Sequence, residues 1–505
     1  MQTPAKGVTW TLRTIGQAHI SPIAASLFRH FLFNNAGPSL GEDQGSKDNM
    51  SVTSVERAVA PFRALQTRDS ALRSGAWAYF VYALIFFGFI VTVYWQLSGV
   101  LPHILELLER NSYGWLIAYP SLFWTGAGLM LLGARTLCWA IYRPIPAVAR
   151  EDAPSITVII PAYNEGAMVM NAITSIVEAD YPRDRIEIIA IDDGSKDDTW
   201  DYISAAAQRY PGLVTALRQD RNRGKREAMA LAISRARGDI FVTVDSDSVI
   251  ERDALLAIVA PFRNPRVGAV AGKVLVYNRR SGIIPRMLHV RFILSFDLLR
   301  ASESTFGNVY CCPGALTALR ADVVRRVLPR WLEQQFLGVR CTFGEDRAMT
   351  NLLFMEGYDS VYQQNAVVHT EVPEVFPKLC KMFLRWDRSY VREEFQYLRT
   401  IVWRRPLRTR IATLLDRIVA NFRYPVIYAS LASLPIMIWN EPTVLPRLML
   451  AMGLGAALST FHYLRSERSF EYFYAILYSY FWLFTLFWIF PYALVTARAR
   501  SWMTR

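Results

Sequence analysis

Four short apolar runs in the middle of the chain limit its fold more than any other feature. They read SITVIIPAY, IEIIAIDDG, DIFVTVDSD and VGAVAGKVL, and helix-length segments separate them. Runs so rich in Val and Ile argue a parallel sheet of βαβ units, covered on both faces. Ligands in that architecture bind beyond the carboxyl ends of the strands. Strongly polar residues follow the runs accordingly, as YNE (163–165), DDGS (192–195) and DSD (245–247).

Long apolar stretches flank this block. AWAYFVYALIFFGFIVTVYW (76–95) is charge-free and has the ~20 residues that cross a hydrocarbon core. A second candidate, 113–133, continues past Arg135 to Tyr142; Arg135 either lines a polar path or snorkels to the interface. Three more stretches, 424–440, 448–464 and 472–497, close the chain. Hydrophobic residues make up 52% of the 505, and mean hydropathy is +0.16, high for a soluble enzyme. The net charge of +13 fits nucleic acid or an anionic membrane surface. No nucleic-acid-binding motif is present and the basic residues crowd beside apolar runs, so the membrane surface is the better reading. Counting positive residues places the central domain in the cytoplasm. Five full crossings would leave the arginines of ARARSWMTR outside, so the last stretch, interrupted by Pro491, is expected to turn back. The expected organisation is a cytosolic tail (1–74), two membrane helices (75–142), a cytosolic domain with interfacial helices (143–410) and a C-terminal membrane region (411–505). Cys138, Cys311, Cys312, Cys341 and Cys380 show no C-x-x-C spacing, which argues against a zinc site or a disulfide framework.

Several motifs carry chemistry, each with a plainer reading beside it. DDGS suits a ribose or base edge, yet it is also a common turn. RNRGKRE (221–227) places Lys225 where it faces phosphate or solvent. Asp245 and Asp247 are like charges at a strand end and need a counter-ion, which a hard divalent cation supplies; an acidic turn without metal is the alternative. Glu345 and Asp346 open a helix, as caps or as the base for an attacking hydroxyl. Lys378, Lys381, Arg385, Arg388 and Arg392 form one basic stripe on a helix, beside apolar Leu379, Phe383, Trp386 and Tyr390. Such a helix belongs in a membrane interface.

The ordered set YNE, DDGS, GKR, DSD, GEDR and RW, followed by apolar stretches, resembles a processive family-2 glycosyltransferase. The branch it is most similar to holds hyaluronan synthases, chitin synthases and nodulation chitooligosaccharide synthases. FLGVRCTFGEDRAMTN, FLRWDRSYVRE, YCCPGAL and the closing SWMTR carry the likeness, over residues 75 to 505. The resemblance implies a glycosyltransferase-A-like fold, a Rossmann-like mixed α/β sheet, embedded in a multi-span helical membrane domain. It implies that Tyr163 and Asp193, with Glu165 nearby, hold the uridine end of a UDP-sugar. Lys225 would meet the diphosphate, and Asp245 and Asp247 would bind Mg²⁺ or Mn²⁺ and the nucleotide. Asp346, beside Glu345, would be the general base, Arg385 would neutralise the leaving group and Trp386 would stack on the acceptor sugar. Met382 stands where the family pattern has Gln. A thioether lacks an amide's donor and acceptor pair. The expected activity is inverting polymerisation of a UDP-sugar, UDP-N-acetylglucosamine first, at the cell membrane, into a β-linked glycan passed outward. The alternative is a single-sugar transferase acting on a lipid or short acceptor.

Overall fold

The structure is a computed structural model that describes residues 115–499, except 460 and 468, and isolated positions between 80 and 110. The expected tail 1–74, most of the first candidate span 76–95, and SWMTR lie outside the described residues.

The apolar runs fold as strands. β1 (Ile156–Ala162) and β2 (Ile186–Asp192) are followed by β3 (Val214–Arg218), β4 (Ile240–Thr243), β5 (Ser248–Ile250) and β6 (Val267–Val276). β7 (Thr317–Arg320), a two-stranded ribbon of β8 (Gln335–Phe336) and β9 (Val339–Arg340), and β10 (Asp359–Thr370) complete the set. Eight strands form one sheet in the order β3-β2-β1-β4-β7-β6-β10-β5. The sheet is mixed. β1 is parallel to β2 and β4, with Ala162 opposite Asp192, whereas β7 runs antiparallel between β4 and β6, and β5 antiparallel beside β10. An all-parallel sheet is thus corrected to the mixed one that the resemblance implies. Every residue of β1 and β4 is buried, as central strands covered on both faces require. The order reverses beside β1, because the chain goes out to β2 and β3 and returns to β4. That switch point opens a crevice at the carboxyl ends.

The flanking helices carry apolar surface outward. Helix Trp115–Ile141 exposes Phe123, Met130 and Leu137, and helix Leu407–Asn440 exposes Leu415, Phe422 and Trp439. The two pack against each other. Among the described residues one helix, Val444–Glu467, is long and apolar enough to cross a membrane. A second joins it if the bent pair Phe473–Leu486 and Ile489–Val495 is one span. The bend of 49° has a local cause. Pro491 lacks the N–H that would reach the Phe487 carbonyl. The Tyr428 hydroxyl donates to that carbonyl instead, at 2.8 Å. Arg135 has a partner that its sequence position does not suggest: its guanidinium pairs with Asp416 at 2.6 Å.

Candidate active site

Three loops at the strand ends are tied to one another. After β1, Asn164 takes a left-handed conformation (φ 54°) and its N–H donates to Ser195 Oγ at 3.0 Å. The N–H groups of Glu165 and Gly166 donate to Thr199 Oγ1. After β2, Asp192 accepts from the Ser195 N–H at 2.9 Å and closes the turn. Gly194 is required there, because a Cβ would sit 2.5 Å from the Arg221 backbone. Asp193 accepts from the N–H groups of Arg223 and Gly224, both at 2.8 Å, fixing the loop that enters helix Lys225–Arg235. Burial pushes its carboxyl up, and those two hydrogen bonds offset only part of that. So DDGS is a turn and also builds the site wall.

After β4, Asp245 and Asp247 enter the same crevice. Asp247 accepts from the hydroxyls of Ser248 and Thr370, both at 3.2 Å. Asp245 is in contact with the Lys225 ammonium, which also lies 3.1 Å from Glu345. Burial alone would lower the Lys225 pKa, but Asp245, Glu345 and Asp346 outweigh it and hold the ammonium charged.

Glu345 and Asp346 open helix Glu345–Met355 behind Gly344, whose φ of +79° is left-handed. A Cβ on Gly344 would fall 2.0 Å from Ser389 Oγ, so glycine lets helix Phe376–Gln396 press on this turn. The two carboxyls are pushed apart. Burial raises Glu345, but Lys225, a backbone N–H and Arg385 together hold it below the usual range. Burial and then the Glu345 charge raise Asp346, against the Arg347 N–H at 2.7 Å and Lys225. The Cys311 thiol donates to Asp346 at 3.6 Å. Burial raises that thiol well above its ordinary value, and the Asp346 carboxylate adds to it, so it keeps its proton.

A cavity of about 750 Å³ gathers these groups. The ten residues to which the resemblance gives a role line it: Tyr163, Glu165, Asp193, Lys225, Asp245, Asp247, Glu345, Asp346, Arg385 and Trp386. Its far wall is one face of helix Phe376–Gln396, with Lys378, Lys381, Met382, Arg385, Trp386, Ser389 and Tyr390. Trp386 is 38% exposed, edge-on to Phe383. The expected basic stripe is split: Arg388 and Arg392 are buried against Thr496 and the Phe343 carbonyl, within protein rather than at an interface. Sequence reasoning did not single out Arg291, Phe292, Cys311 and Gly314, which also line the cavity. Cys311 and Gly314 had a signal in the run YCCPGAL, whereas Arg291 and Phe292 stand in none of the motifs.

The carboxylate oxygens of Asp245 and Asp247 are the hard donors that Mg²⁺ or Mn²⁺ takes. Among the described residues no cluster of three or more His, Cys, Asp or Glu could hold a metal unaided. Two carboxylates fit a cation that completes its shell with water and phosphate, the usual arrangement for Mg²⁺.

Residues 157–328 match the family model "Glycosyl transferase family 2". The chain carries a family-2 glycosyltransferase domain. This glycosyltransferase is 29% identical over 357 residues to an N-acetylglucosaminyltransferase of Azorhizobium caulinodans, covering 70% of this chain and 87% of that one. It is 33% identical over 276 residues to an N-acetylglucosaminyltransferase of Rhizobium meliloti (53% and 64% covered). Over 267 residues it is 32% identical to a hyaluronan synthase of Streptococcus pyogenes (52% and 62% covered). The chain thus spans most of the first relative and somewhat under two thirds of the other two. Among solved structures, the glycosyltransferase superposes on a mannosyltransferase from Pyrobaculum calidifontis in complex with GDP-Man and Mn²⁺. The TM-score is 0.52 and identity 23%, over 72% of this chain and 99% of that one, which establishes a shared glycosyltransferase-A-like fold.

Proposed function

We propose that the chain is a membrane-embedded, inverting glycosyltransferase that polymerises a UDP-sugar into a β-linked glycan and passes it across the membrane. UDP-N-acetylglucosamine is the first candidate donor, after the two N-acetylglucosaminyltransferase relatives. One observation carries the reading: a charged Lys225, the Asp245/Asp247 pair, a raised Asp346, Arg385 and Trp386 converge on one cavity at the switch point. The outward apolar faces of the flanking helices support the membrane setting. Positive-residue counting keeps the catalytic domain cytoplasmic.

Tyr163 and Asp193 take the uridine end of the donor, with Glu165 beside them. Each Asp193 oxygen has a lone pair left for a ribose hydroxyl after its backbone bond. Asp245 and Asp247 would hold Mg²⁺ or Mn²⁺, which supplies positive charge against the diphosphate. Lys225 and Arg385 aim further positive charge at the departing UDP, where negative charge grows in the transition state. Asp346, its carboxyl raised above the ordinary value, takes the proton from the acceptor hydroxyl as that oxygen bonds the anomeric carbon. Glu345, held ionised by Lys225, keeps that ammonium in place. A single displacement inverts the anomeric centre. The Trp386 ring offers a face to the acceptor sugar.

Met382 favours a second reading. It lines the cavity one residue after Lys381 and three before Arg385. With a thioether there, acceptor grip is weaker, and a single transfer to a lipid or short acceptor becomes the competing outcome. Purified full-length protein, incubated with individual UDP-sugars and Mn²⁺, separates the readings. A long product cut by β-specific hydrolases is expected. A single added residue favours the second reading, and no UDP release with any donor overturns both.

A further inference from the structure

A row of buried charges joins the flanking helices to the residue after Asp346. Arg135, on helix Trp115–Ile141, donates to Asp416 Oδ1 through Nε and Nη2, at 2.9 and 2.6 Å. Arg417, on helix Leu407–Asn440, donates to Oδ2 of the same carboxylate at 3.0 and 2.5 Å. Its other amino group lies 3.6 Å from Glu394. Glu394 pairs in turn with Arg347. Asp416, Arg417, Glu394 and Arg347 are all buried. Side bonds lock the row: Asn421 donates to Glu394 at 2.7 Å and accepts from Tyr390 at 2.7 Å. The Arg347 guanidinium lies 4.6 Å over the Tyr390 ring, and that of Arg417 lies 3.6 Å over Tyr310, the neighbour of Cys311.

Burying charges in this way costs several kcal/mol per ion before pairing returns it, and apolar side chains would bind the helices at lower cost. What paired charges supply, and apolar packing does not, is one register. Here the register is between Asp346 and the cavity face of helix Phe376–Gln396, where Tyr390 and Trp386 stand. We propose that Arg135, Asp416, Arg417, Glu394 and Arg347 form a positioning relay. Through it, helices Trp115–Ile141 and Leu407–Asn440 set the distance from Asp346 to the acceptor sugar. The relay rests on the reading of Asp346 as the acceptor's base. Its outer members contact neither donor nor acceptor and act only through the elements they hold.

Asp416→Asn in the full chain tests this. It keeps the volume and one oxygen but removes the charge between two arginines. Displacing a reacting group by about 1 Å costs on the order of 100-fold in rate. We expect kcat for sugar transfer to fall by about that factor, with donor KM within about twofold. Water should still reach the donor, so the share of UDP released without glycan growth rises. Asp416→Glu should restore part of the transfer rate. Hydrogen exchange of the amides in 345–355 should quicken in Asp416→Asn, whether or not a donor is turned over. Unchanged exchange there, or an unchanged ratio of transfer to hydrolysis, overturns the relay. If Asp416→Asn does not fold, Arg135→Met at the partly exposed end carries the same readouts. If the wild-type chain releases no UDP, the functional reading fails and the exchange of 345–355 alone decides the relay.

Discussion

Replacing Lys225 with Met removes the cation that holds three carboxylates together. Its ammonium contacts Asp245 and lies 3.1 Å from Glu345, with Asp346 next along the chain. At an effective dielectric of about 20, one pair at that separation is worth about 5 kcal/mol before desolvation. Breaking a buried pair while leaving its partner charged costs about 3–5 kcal/mol. For a domain of this size, that lowers Tm by on the order of 10 °C. The pH dependence is more diagnostic than the size. In the wild type, Glu345 titrates below its unfolded value, so its contribution is present above that value and lost only as pH falls through its depressed folded pKa. Lys225 titrates above its unfolded value and keeps its contribution until pH rises through its folded pKa. Neither loses ground between pH 8 and 6. In Lys225→Met the carboxylates repel, their folded pKa values rise above the unfolded ones, and acidification relieves the strain. Tm of the variant should therefore climb toward the wild-type value as pH drops from 8 to 5. Thermal unfolding of the detergent-solubilised protein, followed by tryptophan fluorescence, measures this. A deficit that stays constant or widens on acidification would falsify the assignment of Lys225 as their counter-ion.

Asp346→Asn should lower kcat by about 10²–10⁴, the usual worth of a general base, with donor KM little changed in steady-state assays. The same change removes a raised carboxylate, so Tm at neutral pH should hold or rise; a large drop would mean that Asp346 is a structural cap. Gly314→Ala places a Cβ 2.7 Å from Lys225 Nζ and 2.9 Å from Asp245 Oδ1, so about 1–3 kcal/mol of stability and most activity should be lost. Activity near wild type in Gly314→Ala would show that the Lys225–Asp245 contact is not the working arrangement. Trp386→Ala should spare UDP binding, read by calorimetry, while shortening the product or abolishing growth.

The runs of β1, β2, β4 and β6 were legible because strands covered on both faces are made mostly of apolar residues. β10 was not: DSVYQQNAVVHT is half polar, and a register shift between Gln363 and Val367 breaks its alternation. The antiparallel insertion of β7, four residues long, leaves no period to read. At the site, strand-end carboxylates stood out because like charges there need a partner. Which partner was hidden: Lys225 read as a phosphate ligand, yet it reaches Asp245 and Glu345, 20 and 120 residues away in sequence. Helical spacing correctly put Lys378, Lys381 and Arg385 on one face. It could not say that Arg388 and Arg392, slightly further round, meet protein. Arg135 is the same lesson, since its partner Asp416 lies 281 residues on.

The cavity face of helix Phe376–Gln396 is an extended one. From Lys378 to Tyr390, at ~1.5 Å per residue, it is about 18 Å long, longer than any single sugar ring. An acceptor laid along it would touch the protein through several rings at once. Slipping forward by one ring would then exchange like contacts for like, and the hold on the glycan need never be released as a whole. Length of contact, more than strength at any one residue, would set how far such a chain grows before it escapes.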